Sequence, residues 1–232
     1  MPLSFEKVPA GLVSLAKTAA VSLEKQGLTG TRAAVYLVLD RSGSMRRYYK
    51  NGSMQHLAEQ VLALSVNLDD DGVVPTVFFD SDAHPAVDIG LDDYQGRIAE
   101  LHRAYGHMGT TDYAAAMDAV IDHYLDSGAR DPALVVFQTD GSPDSRRAAE
   151  QTLCRAAKLP LFWQFIGYGK DKFDFLRKLD ELAVPARRVV DNAGFFPAGK
   201  DPKLIPDAVL YDRLTGEFPH WLRAATAAGI IT

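Results

Sequence analysis

The stretch Ala33-Ala34-Val35-Tyr36-Leu37-Val38-Leu39 carries no charge and runs directly into Asp40-Arg41-Ser42-Gly43-Ser44. An uninterrupted apolar run of this length, rich in branched side chains, predicts a strand buried on both faces, as in a parallel sheet covered by helices. Where it stops, a carboxylate, two alternating hydroxyls and a glycine follow at once. Open α/β sheets bind ligands beyond the carboxyl ends of their strands, so this junction is the first place to expect a site. Hard oxygen donors of mixed charge, with no Cys or His among them, suit Mg²⁺, with Mn²⁺ or Ca²⁺ as alternatives, rather than zinc. They point to metal-dependent binding rather than covalent chemistry.

Two later segments can complete such a site. Gly109-Thr110-Thr111-Asp112 precedes Tyr113-Ala114-Ala115-Ala116-Met117-Asp118-Ala119-Val120, a good helix former with a hydroxyl or carboxylate at its start. Leu134-Val135-Val136-Phe137-Gln138-Thr139-Asp140-Gly141 reads as a second buried strand ending in an aspartate and a glycine. In a parallel sheet such strand-to-helix turns lie along one edge, so oxygen ligands far apart in sequence can converge there.

Along the rest of the chain, helical spacing of apolar residues predicts helices over 8–26, 54–68, 94–105, 113–126, 146–158, 172–181, 206–212 and 217–228. Strands are expected over 33–39, 73–79, 134–139 and 161–166, with a short antiparallel edge strand at 86–89 and a last strand at 187–190. Pro75 cannot donate to a ladder, which places it near a strand start or at an edge. Regular alternation of strands and helices predicts an α/β fold: a doubly wound, mostly parallel, Rossmann-like central sheet with helices on both faces. At 232 residues the chain suits one such domain, 1–232. Within it we expect an N-terminal helix in 1–30, a sheet core in 31–191 and a C-terminal helical extension in 192–232.

Composition narrows the function classes. The formal net charge is −5 and the pI about 5.7, so no basic field is present to attract nucleic acid or an anionic membrane. No apolar stretch approaches the roughly 20 residues that span a bilayer. The first residues lack the basic start and apolar core of a secretory signal. Cys154 is the single cysteine and cannot form an internal disulfide, which agrees with a reducing cytoplasm. We therefore expect a cytoplasmic protein.

Several enzyme classes lack their signatures. There is no Gly-x-Ser-x-Gly elbow, no phosphate-binding Gly-x-x-x-x-Gly-Lys loop and no Gly-x-Gly-x-x-Gly turn after a strand. A phosphatase that uses a strand-end aspartate as nucleophile usually wants a second carboxylate two residues on, and that position is Ser42. A metal-dependent phosphoryl hydrolase built on the same cluster is kept as the alternative. The six histidines show no pair at zinc-type helical spacing. His107 alone falls close to the expected site. Arg46, Arg47, Tyr48 and Tyr49 follow the Ser44 hydroxyl directly; they read either as a solvated loop or, with His107, as a rim that recognises an acidic partner, since Arg and aromatics are enriched at binding anchors.

Taken in order, Asp-x-Ser-x-Ser, the Gly-Thr loop and the strand-ending Thr-Asp-Gly resemble the metal-ion-dependent adhesion site of von Willebrand factor A (vWA) domains. The resemblance extends over nearly the whole chain. It implies that Asp40, Ser42, Ser44, Thr110 and Asp140 are the metal ligands, with Thr111 able to stand in for Thr110 and Asp140 acting through water. It also implies a non-catalytic interaction module whose partner supplies a Glu or Asp carboxylate to the ion. Within the family the chain looks most like the intracellular bacterial vWA proteins of the tellurium-resistance (Ter) group. The segments Ala19-Ala20-Val21-Ser22-Leu23, Phe195-Phe196-Pro197, Leu210-Tyr211-Asp212 and Glu217-Phe218-Pro219-His220-Trp221-Leu222 carry that closer likeness. It implies a role in tellurite or general chemical stress within a multi-protein complex.

Overall fold

A computed structural model describes residues 3–184 and 186–231. Six strands form one sheet: β1 (Ala34–Asp40), β2 (Val73–Phe79), β3 (Val87–Gly90), β4 (Ala133–Thr139), β5 (Leu161–Tyr168) and β6 (Ala193–Gly199). Nine α-helices accompany them among the described residues. They are α1 (Ala10–Lys25), α2 (Arg46–Lys50), α3 (Ser53–Leu68), α4 (Arg97–Ala104), α5 (Tyr113–Asp126), α6 (Arg146–Ala156), α7 (Asp174–Asp180), α8 (Asp207–Thr215) and α9 (Phe218–Ala227).

The strand order is β3-β2-β1-β4-β5-β6, and only β3 runs antiparallel, at the edge beside β2. β1, β4 and β5 are buried almost throughout, which explains why their sequences show no polar alternation. Their side chains still alternate between two cores. Val35, Leu37 and Leu39 face one cluster with the apolar sides of α1, α3, α4, α8 and α9. Tyr36 and Val38 face the other, with α5, α6 and α7. The chain leaves β1 for β2 on one side and returns to β4 on the other, so the direction of winding reverses between β1 and β4. That reversal opens a crevice beyond their carboxyl ends, where Asp40 and Asp140 lie.

Most predicted elements are present with shifted ends. Pro75 is the third residue of β2, and pairing of β2 with β1 begins only at Thr76, so no ladder bond to β1 is lost.

The last strand is a correction. Residues 187–190 form a turn and a bend, and the sheet instead takes Ala193–Gly199, so the sheet core runs past 191. Two physical facts explain this. Arg188 is buried, and its guanidinium bonds the Asp180 and Leu182 carbonyls and the Asp191 carboxylate, which fixes the segment as a connection. The glycines and proline of Ala193–Gly199 look unlike a strand, but an edge position tolerates Pro197. Phe196 and Phe195 then pack on opposite faces, Phe196 in the same core as Phe218 and Trp221.

Candidate metal centre

Asp40 is the last residue of β1 and is fully buried. One carboxylate oxygen accepts the Ser42 backbone N–H at 2.6 Å, closing a tight turn. The other accepts the Thr139 hydroxyl at 2.7 Å, across from the end of β4. Ser42 and Ser44 hold their hydroxyl oxygens 3.0 Å apart, and Ser44 donates to Asp140 at 2.8 Å. A contiguous set of oxygens therefore runs from Thr139 through Asp40 and Ser42 to Ser44 and Asp140. Burial pushes the Asp40 carboxyl up to about 7; the Ser42 and Thr139 hydrogen bonds pull it back, and the Asp140 charge adds to the rise. Burial also raises Asp140, opposed by the Ser44 hydrogen bond and the Arg47 charge.

The structure places Asp40, Ser42, Ser44 and Asp140 together. Thr110 is tied elsewhere: its hydroxyl lies 3.0 Å from Ser81 Oγ, and its backbone N–H donates to the same oxygen. Its loop still borders the cluster, because the Gly43 N–H donates to the Gly109 carbonyl at 3.1 Å. Thr111 is turned to Asp144, which accepts its backbone N–H. Gly109 is required there. A Cβ at that position would sit 2.9 Å from Asp80 Oδ1 and 3.0 Å from Ser81 N. Asp112 caps α5 by accepting the Ala115 N–H, as its place before the helix predicts.

The tract after Ser44 is a short helix rather than a loop, and only half of it fits a rim. Arg46 and Arg47 are exposed. Tyr48 is buried against Tyr168, with ring centroids 5.2 Å apart. Tyr49 is half-buried, stacks on His102 at 4.0 Å and donates its hydroxyl to the Asp40 carbonyl. A helix of these residues must turn one side inward: Tyr49 braces the site from behind, while the buried Tyr48 ring floors the cleft beside Ser44 and Asp140. His107 is exposed on the neighbouring loop, and its carbonyl accepts from Arg41.

Arg41, Thr139 and Asp80 matter to the geometry and carry no obvious signal in the sequence. Arg41 points away from Asp40 and is fully buried. It pairs with Asp80 at 2.6 Å, bonds the Gly106 and His107 carbonyls, and lies 5.5 Å from the Tyr105 ring centroid. One cation thus fastens the end of β2 and the 106–112 loop to the Asp40 turn. A residue alternating with ligands in Asp-x-Ser-x-Ser ought to point the other way, and that alternation was the available clue. Thr139 is signalled only by its place one residue before Asp140.

Among the described residues no group of three or more His, Cys, Asp or Glu side chains is placed to hold a metal. The cluster has two carboxylates, and its other oxygens are hydroxyls, so any cation affinity rests on that mixed set. No helix of the described residues is long and apolar enough to cross a membrane.

Residues 32–231 match the family described as "vWA found in TerF C terminus". The chain is 34% identical over 223 residues to the uncharacterized protein YcbR of Bacillus subtilis (strain 168), covering 93% of this chain and 88% of that one. In fold it is similar to the manganese-loaded TRAP protein of Plasmodium vivax, at TM-score 0.54 and 21% identity over 77% of this chain and 73% of that one. It is likewise similar to proximal thread matrix protein 1 of the mussel byssus, at TM-score 0.59 and 14% identity, covering 80% of this chain and 48% of the other. A form of the mussel protein with a zinc-occupied MIDAS motif gives TM-score 0.50 and 12% identity, over 84% of this chain and 48% of that one. The order of the sheet, the strand-end oxygen cluster and the match over 32–231 agree: the chain belongs to the vWA-TerF-like family of von Willebrand factor A domains.

Proposed function

We propose that this chain is a divalent-metal-dependent protein-interaction module without catalysis of its own. The observation that carries the proposal is Asp40: a fully buried carboxylate whose neighbouring cation, Arg41, is committed to Asp80. Hydrogen bonds from Ser42 and Thr139 satisfy its oxygens but do not neutralise its charge. A buried charge left that way is costly unless paired or coordinated to a metal. The donors within reach fit a hard cation, being carboxylate and hydroxyl oxygens without sulfur or imidazole. The two similar folds described with manganese and with a zinc-occupied MIDAS motif support a divalent ion, and the donor set favours Mg²⁺, with Mn²⁺ next.

Asp40, Ser42 and Ser44 would hold the ion, with Asp140 joined through the Ser44 hydroxyl or water, and the 106–112 loop offering Thr110 after a shift away from Ser81. A bound divalent ion would supply concentrated positive charge and a coordination position for a partner's Glu or Asp carboxylate. The chain's own residues orient the oxygens: Thr139 and the Ser42 N–H fix the Asp40 carboxylate, and Arg41 anchors the loop opposite. Neutral Ser42 and Ser44 keep the total anionic charge low, which leaves the ion attractive to an incoming carboxylate. The family assignment supports a bacterial cytoplasmic role in tellurite or chemical-stress response, inside a multi-protein complex.

The test is affinity capture of partners from a bacterial lysate with Mg²⁺ or with EDTA, using wild type and Asp40→Ala. Partners retained by wild type with Mg²⁺ and released by EDTA should be absent from Asp40→Ala. Capture unchanged by EDTA and by the substitution would refute metal-dependent binding.

A further inference from the structure

Beside Ser44 and Asp140 lies a cleft of about 400 Å³, lined also by Arg47, Lys170 and Lys200 over the buried rings of Tyr48 and Tyr168. Three cations meet here on a chain of net charge −5. Among the described residues none of the three forms an ion pair. Their positions are built rather than incidental. Arg47 lies over the Tyr48 ring, 4.3 Å from its centroid, and donates to the Tyr48 hydroxyl and, at 3.2 Å, to the Lys200 carbonyl. Lys170 and Lys200 emerge from adjacent parallel strands, β5 and β6, whose ends are joined by Gly169 N–H to Gly199 O at 2.8 Å. Gly169 holds φ 112°, a conformation a larger residue resists, and a Cβ there would approach the Tyr48 hydroxyl to 3.5 Å. The fold therefore gathers three like charges at one cleft, where Asp140, which feels both Arg47 and Asp171, offsets part of their repulsion.

We propose that Arg47, Lys170 and Lys200 form a second anion subsite, which takes a further carboxylate from the same partner segment whose first carboxylate goes to the metal. This rests on the interaction-module reading and narrows it: the partner is an acidic peptide segment with at least two carboxylates close together, and a lone Glu or Asp uses only half of the site. Charge-assisted hydrogen bonds from two or three cations give such a segment its advantage, and steering by the same charges raises its association rate.

Fluorescence anisotropy with the full chain and Mg²⁺ tests this with two labelled, C-terminally amidated peptides, tetraglutamate and a Gly-flanked single Glu. Tetraglutamate should bind about tenfold tighter, a ratio equal to about 1.4 kcal/mol. Lys170→Gln combined with Lys200→Gln should bring the two peptides within about twofold of each other, with most of the loss falling on tetraglutamate. Lys17→Gln with Lys158→Gln, both exposed and remote from the cleft, should preserve the full ratio. Equal binding of the two peptides by wild type, or an undiminished ratio in Lys170→Gln/Lys200→Gln, overturns the subsite. EDTA judges the metal reading separately: a lysine-dependent preference that survives EDTA keeps the subsite and removes the ion.

Discussion

Replacing Asp40 with Asn should stabilise the metal-free protein at neutral pH, although the residue stands at the centre of the site. Burial lifts the Asp40 carboxyl from its ordinary value of 3.8 to about 7. The folded state therefore holds a proton that the unfolded state has already released across this interval, and stability falls as pH rises from about 4 to about 7. At about 1.36 kcal/mol per tenfold change in proton affinity, the full interval amounts to about 4 kcal/mol, and water entering the ionised site reduces this to about 2–4 kcal/mol. Asn retains the shape and avoids the charge. Its oxygen can still accept the Ser42 N–H, while its amide can donate to Thr139 Oγ1. The Tyr113 hydroxyl, 2.9 Å from Thr139 Oγ1, also lies 2.6 Å from the Gly141 carbonyl and can turn there.

Urea denaturation in EDTA at pH 5 and pH 8 measures the difference. Glu217 and Asp180 are also raised by burial, to about 7 and about 6, so wild type alone would mix several carboxyls. The wild-type-minus-Asn difference isolates Asp40. It should favour Asn at both pH values and widen by about 1–3 kcal/mol from pH 5 to pH 8, because at pH 5 the unfolded carboxyl has already released most of its proton while the folded one still holds it. Saturating Mg²⁺ should recover the loss in wild type and do nothing for Asn. A pH-independent difference, or a wild type that gains more stability than Asn between pH 5 and pH 8, would refute the account of Asp40 as an uncompensated buried charge.

Gly109→Ala should cost about 1–3 kcal/mol of stability by forcing the 106–112 loop off Asp80 and Ser81, read as a lower urea midpoint, with Mg²⁺ stabilisation reduced in parallel. Arg41→Gln should cost about 3–5 kcal/mol, because Asp80 and two loop carbonyls lose a buried cationic partner. Adding Asp80→Asn to that variant should recover part of the loss, and a strictly additive double-mutant cycle would show that the pair is not coupled.

What the sequence discloses is uneven for physical reasons. The runs before Asp40 and Asp140 are legible because strands buried on both faces cannot carry charge, so the first carboxylate marks the strand end. Asp112 is legible because a cap must precede its helix. Arg41 is not legible as a structural clamp, since a charged residue beside a site ordinarily faces solvent and its partners Asp80, Gly106 and His107 are remote in the chain. The Tyr48 and Tyr49 rings face inward because the Arg46–Lys50 segment is helical, a feature its basic and aromatic composition conceals. β6 is hidden by glycine and proline, which an edge strand accepts and a central strand does not.

The placement of Arg41 suggests why the oxygen cluster can combine rigidity with responsiveness. Every support behind Asp40 is fixed: Thr139 and Ser42 on its carboxylate, Tyr49 on its carbonyl, and Arg41 on the loop across the crevice. In front, Ser42, Ser44 and Asp140 satisfy one another by hydroxyl bonds, and Thr110 is parked on Ser81. Those bonds are exchangeable, since a hydroxyl can turn its proton aside and present a lone pair without moving its chain. Cation capture would therefore require rotation of three hydroxyls and a short loop shift, while the Asp40 support stays in place. The charge that destabilises the metal-free fold is the same charge that would favour the ion, so stability and binding are coupled through one carboxylate. A variant that relieves the first must weaken the second, and measuring urea stability and Mg²⁺ affinity on Asp40→Asn together tests that coupling directly.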